Sequence, residues 1–227
     1  MSARRVESIK IDNKTINYLK RKIGAWNYSG GKQYPWREAQ SEFHALIAEI
    51  LLQRTKAEQV IPVYRAFIKT FPSIKELSRS SAGRIKEIIL PLGLSWRSKK
   101  LKELGRVLYT ENKGNIPGDY ETLLKLPGVG PYSAAAFLSL HNNRPATIID
   151  SNIIRLYGRF FGFKTDAEIR RNKHLINLLE RITPRKESKK FNYSLLDLSR
   201  SICKLRPVCC SCPLSNKCRY NSIERER

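Results

Sequence analysis

Apolar residues recur along most of this chain with the period of a helix buried on one side. In SEFHALIAEILLQRT, Phe43, Leu46, Ile47, Ile50 and Leu51 fall at i, i+3, i+4, i+7 and i+8, a single stripe. Ser41 stands just before that stripe, where a side-chain oxygen can cap the first free N–H groups. Similar stripes run through QVIPVYRAFIKTF, SAGRIKEIILPLGL, SKKLKELGRVLY, DYETLLKL, SAAAFLSL, SNIIRLYGRFFG, HLINLLERI and YSLLDLSRSIC. The connections are short and carry Gly, Pro, Ser or Asn. No hairpin signal or strand alternation competes with this pattern, and only RPATIID reads as briefly extended. The expected class is all-α. SGGKQYPWREAQ reads as a loop between helical blocks.

One connection is unusual. DYETLLKL and PYSAAAFLSL read as two helices joined by LPGVG. Pro131 suits a first helical turn, where a missing N–H costs nothing. Gly128 and Gly130 permit uncommon dihedrals and a close backbone approach. The free N–H groups of such a turn, with the positive end of the next helix, suit a phosphate. The pattern is a helix–hairpin–helix, which grips a DNA backbone through Gly128, Val129, Gly130 and Ser133 without reading bases. An ordinary helix–helix turn is the plainer alternative.

Charge agrees with a polyanionic partner. The chain has 227 residues, with 43 Lys and Arg against 20 Asp and Glu, a net charge of +23. That excess is spread along the sequence and repels itself unless a polyanion is bound. There is no long apolar run and no signal-peptide core, so a soluble, intracellular, cytoplasmic protein is expected. The five cysteines, at 203, 209, 210, 212 and 218, crowd into sixteen residues. In an intracellular chain that crowding points to a metal or cluster site rather than to disulfides.

These motifs in this order resemble the helix–hairpin–helix (HhH-GPD) superfamily of DNA glycosylases, in the branch of endonuclease III and MutY. LPGVGPYSAAAF followed by TIIDSNIIRLYGRFFG carries most of the likeness. YPWREAQSEFHALIAEILLQRTKAEQVIPVYRAF is similar to the start of the adenine and thymine mismatch glycosylases, and the resemblance covers about residues 34 to 220. It implies two helical domains with a DNA-binding cleft between them. One is a six-helix domain with the hairpin, residues 36–144; the other joins 1–35 to 145–227. The cysteines resemble an iron–sulfur loop, 203–218. The family spacing is C-x6-C-x2-C-x5-C, whereas Cys203, Cys209, Cys212 and Cys218 give C-x5-C-x2-C-x5-C, with Cys210 spare. A [4Fe–4S] cluster is therefore expected on those four, with zinc as the rival. Its loop would present Lys204, Arg206, Lys217 and Arg219 to DNA.

The same resemblance assigns roles. Asp150, before SNIIRLYGRFF, matches the catalytic aspartate, and a plain helix cap is the alternative. A held carboxylate stabilises the positive charge that builds on deoxyribose as the glycosidic bond breaks. Tyr132 stands where strand-cutting relatives carry a Schiff-base lysine, so a glycosylase without lyase activity is expected. Glu49 is a carboxylate on an apolar stripe; it matches a residue that faces the flipped base, and a buried pair with an arginine is the alternative. Gln53, with Arg54 beside it, matches an intercalating position, and Leu94 a wedge against the opposite strand. Trp96, Arg97, Lys99 and Lys100 follow as phosphate contacts. Tyrosine at 132 resembles enzymes that remove thymine or uracil opposite guanine. Removal of adenine opposite 8-oxoguanine comes second, because the further domain of those enzymes is missing after NSIERER. A modified cytosine comes third, and a non-catalytic DNA-binding protein is the alternative of another class. The expected partner is double-stranded DNA bearing a mismatched or damaged base, met by a monomer.

Overall fold

The structure, a computed structural model, describes residues 5–8, 11–26, 33–93, 95–166 and 168–225. Leu94, the expected wedge, lies outside the described residues. The chain divides into two compact units, Met1–Gly31 with Asn143–Arg227, and Lys32–Asn142.

The second unit begins with a short 3-10 turn, Pro35–Glu38. Its helices are α2 (Glu42–Leu51), α3 (Ala57–Thr70), α4 (Ile74–Arg79), α5 (Ala82–Ile89), α6 (Trp96–Thr110), α7 (Tyr120–Lys125) and α8 (Pro131–Ala136). Their starts are set locally. The side chains of Ser41, Ser73, Ser81 and Asp119 each accept a hydrogen bond from a backbone N–H of the first turn. The apolar stripes meet inside: Leu46 and Ile47 of α2, Val60 and Phe67 of α3, and Leu101, Leu104 and Leu108 of α6 are all fully buried. Trp36 closes the core over α3, its ring edge-on to Tyr64 at 5.7 Å. Burial pushes the Tyr64 phenol up to about 12.

The helix expected over PYSAAAFLSL is not uniform. It is α-helical through Ala136 and then widens to a π-helix, Phe137–His141. The Asn142 N–H reaches back five residues to the Phe137 carbonyl at 3.1 Å.

The other unit is built from α1 (Asn13–Ala25), α9 (Ser151–Phe161), α10 (Lys173–Ile182), α11 (Ser188–Ser201) and α12 (Arg219–Arg225). α1 packs on α10 and α11, and α9 on α11 and α12. Ile153, Leu156, Tyr157 and Phe160 form the buried stripe of α9.

The described residues are helical with irregular connections, which agrees with the all-α expectation. The iron–sulfur part of that expectation is corrected. Among the described residues, no group of three or more His, Cys, Asp or Glu side chains is arranged to hold a metal ion. The proposed ligand set of Cys203, Cys209, Cys212 and Cys218, the [4Fe–4S] cluster and the cluster domain fall with it. Burial pushes the Cys212 thiol up to about 11 and moves Cys218 upward too. The segment is held by arginines of α9 instead. Arg155 Nε donates to the Cys203 carbonyl at 2.9 Å, and Arg159 donates to the carbonyls of Lys204 at 2.6 Å and Leu205 at 2.8 Å.

Candidate active site

In the Lys32–Asn142 unit, α2, the turn after it, and the hairpin converge. The LPGVG turn closes through Val129 N–H to the Leu126 carbonyl at 3.1 Å, and α8 then starts with Ala134 N–H to the Gly130 carbonyl at 2.9 Å. Gly128 takes φ +82°, the left-handed region that favours glycine. Pro131 opens α8. Tyr132 follows it, half-buried, on the wall of an open cavity of about 340 Å³ lined by Gln53 and the run Gly128–Ser133.

Ser133 ties this hairpin to α2. It is buried, and its hydroxyl donates to the Glu49 carbonyl at 3.2 Å. The same hydroxyl accepts a hydrogen bond from Gln53 Nε2 at 2.9 Å, and Gln53 also donates to the Gly128 carbonyl at 2.8 Å. The structure therefore brings Glu49, Gln53, Gly128 and Ser133 into one hydrogen-bonded set. Gln53 lies along the hairpin here, half-buried, rather than reaching outward.

Arg97 departs from its expected place among the phosphate contacts. It is only 1% exposed. Its guanidinium donates to the Leu51 carbonyl at 2.9 Å, to the Thr55 hydroxyl at 3.0 Å, and to the Gln53 carbonyl. Those groups lie at and just beyond the C-terminal end of α2, where carbonyls have no helical donor. Arg97 thus clamps the turn that presents Gln53 and Arg54. Burial, and then the nearby Arg54 charge, hold the Arg97 pKa below the usual guanidinium range. Arg54 is exposed with φ +57°, held in a left-handed conformation by this turn.

Glu49 is 2% exposed, and the alternative of a buried pair with an arginine is not what it meets. Its Oε1 lies 3.1 Å from Nε2 of His141, at the end of the π-helix. Sequence reading passed over His141. The signal was there, a polar residue closing the apolar run SAAAFLSLH, but it marks the helix end as readily as a partner.

Asp150 belongs to the other unit and N-caps α9. Its Oδ1 accepts the Ile153 N–H at 2.7 Å, and its Oδ2 accepts Asn152 Nδ2 at 3.2 Å. Arg200 of α11 lies 3.9 Å from Oδ2. The carboxylate is fixed in direction yet 19% exposed, which leaves an edge open to a ligand. A carboxylate so aimed can set its negative charge against a developing cation.

The family model for "HhH-GPD superfamily base excision DNA repair protein" matches residues 47–184. The chain is 35% identical to a thymine-DNA glycosylase of Aeropyrum pernix, over 92% of this chain and 97% of that protein. It is 36% identical to a thymine/uracil-DNA glycosylase of Pyrobaculum aerophilum, over 87% of this chain and 88% of that protein. The solved structure of a thermostable thymine-DNA glycosylase superposes with a TM-score of 0.79 at 31% identity, covering 92% of this chain and 95% of that one.

Proposed function

The chain belongs to the HhH-GPD superfamily of base excision DNA repair proteins, and from that premise we propose that it removes thymine or uracil mispaired with guanine in double-stranded DNA. The reaction is hydrolysis of the N-glycosidic bond. The bond from C1′ to the base breaks, water supplies the hydroxyl to C1′, and the base leaves with a proton. The product is an abasic site in an uncut strand.

The observation that carries this reading is Tyr132 on the first turn of α8, beside the cavity of the hairpin. A phenol there cannot form a Schiff base with the sugar, so strand cleavage by that route is closed. Relatives whose names specify thymine or uracil match nearly the whole chain, which supports the same base choice. Asp150 stabilises the positive charge on the sugar. Glu49 meets the flipped base from α2 and assists its departure by hydrogen bonding or proton donation. Gln53 fills the gap in the stack, and the hairpin grips a phosphate. The hydrogen bonds that hold Gln53 against Gly128 and Ser133 must open for that insertion.

Single-turnover base release tests the reading on duplexes carrying T·G, U·G, A·8-oxoguanine and A·G, each with and without alkali. Cleavage at T·G or U·G that depends on alkali is the expected result, with no covalent trapping by borohydride. Release of adenine alone would replace the substrate. Borohydride trapping of the wild type would overturn the hydrolytic route.

A further inference from the structure

A buried carboxylate is costly unless something compensates its charge or donates to it. Among the described residues, no Lys or Arg pairs with Glu49, and its side chain is 3% exposed. The compensating group is His141, whose side chain is 6% exposed. In the tautomer with its hydrogen on Nε2, His141 donates a hydrogen bond to Oε1 across 3.1 Å, and Oε2 is left for the base. No other hydrogen bond reaches this carboxylate from the described side chains. The imidazole is itself fixed. The Phe137 ring lies 6.4 Å from it at 31°, and the next residue, Asn142, donates to Glu42 Oε1 at 2.9 Å. Glu42 and Glu49 stand two turns apart on α2. The last residue of the π-helix, His141, and the residue after it are thus each tied to α2.

We infer that His141 is a positioning residue for base release: it holds Oε1 of Glu49 and leaves Oε2 to meet the flipped base. This rests on the reading of Glu49 as the group that faces that base. His141 touches neither sugar nor base in this scheme and acts only through Glu49.

The experiment is a mutant cycle read by single-turnover release from a T·G duplex, with binding to an abasic-site duplex and thermal melting alongside. His141→Leu is expected to slow release about ten- to a hundredfold, as loss of a hydrogen bond to a charged group would, while abasic-site affinity stays within about twofold. His141→Gln, whose Nε2 falls near that of histidine, is expected to recover most of the rate, and His141→Asn, whose amide falls near Nδ1, is not. In a Glu49→Gln background, His141→Leu should add no further loss. Equal rates for the Gln and Asn variants, additive losses in the double variant, or an unchanged rate in His141→Leu would each overturn the inference. Should His141→Leu fail to fold, the Gln and Asn pair decides. Unimpaired release by Glu49→Gln would remove the inference and the role of Glu49 while leaving the glycosylase reading intact. A wild type that releases no base from any duplex would remove that reading, and the inference with it.

Discussion

Asp150 joins a structural and a chemical task in one carboxylate. Its bonds to Ile153 N–H and Asn152 are those of a helix cap, and the same bonds aim it. The two tasks separate by substitution. Asparagine caps as well as aspartate but carries no charge. Asp150→Asn should therefore melt within a degree or two of the wild type, bind mismatched DNA, and release base at least about a hundredfold more slowly. Asp150→Ala should lose the rate and also about 1 kcal/mol of stability, measured by urea denaturation. The cysteines give a second residue-scale outcome. Cys210 is exposed, whereas Cys212 is held protonated by burial. Iodoacetamide near pH 8 should label Cys210 well before Cys212, read by peptide mass spectrometry.

At the scale of elements, two contacts hold the hairpin unit in register. Arg97 of α6 ends α2 and shapes the turn after it. Arg97→Met removes the donors: the Leu51 carbonyl loses its guanidinium partner, and the Gln53 carbonyl keeps only the Thr55 hydroxyl. That should cost about 1–3 kcal/mol in urea denaturation and weaken binding to mismatched duplex through the slackened turn. The α4–α6 crossing is close-packed at Gly105, where an added Cβ would lie 2.9 Å from Leu77 Cγ and 3.0 Å from the Ser78 backbone nitrogen. Gly105→Ala should cost about 1–3 kcal/mol, because backbone rather than a side-chain tip must move. The helices themselves were legible in the sequence because a 3.6-residue stripe and a capping Ser or Asp are local signals. Ser41 and Asp150 cap as their positions suggest. Arg97 was not legible: WRSKK reads as a run of phosphate contacts, and only the packing of α6 against the end of α2 turns one of its cations inward. His141 was hidden for a related reason. A uniform α period assigns it to a frayed end, and its partner lies 92 residues away. The cysteines failed in the opposite direction. Spacing shows that thiols are near in sequence, but it says nothing of their aim or ionisation.

On the scale of the whole molecule, the net charge of +23 sets two responses to salt with opposite signs. Screening relieves self-repulsion, so the free protein should melt at a higher temperature as salt is raised. Salt also competes for the phosphates. If roughly six are neutralised, duplex affinity should fall about a thousandfold between about 50 and 200 mM salt. Neither trend depends on the mismatch, so the ratio of mismatched to matched affinity should change far less than either affinity alone.

The π-helix at Phe137–His141 carries a further consequence, one of counting. A π turn is an α turn with a surplus residue. The wider turn absorbs that residue, so five positions here sweep about as much of the circle as four do in an α-helix. Remove one residue from Phe137–Leu140 and the ordinary ladder can close with the histidine still facing Glu49. Add one that the helix does not absorb and everything after it turns by about 100°. The pairing is thus a matter of phase: volume-preserving point substitutions and a single deletion along Phe137–Leu140 should spare it, while a single insertion there should abolish it as fully as changing the histidine itself.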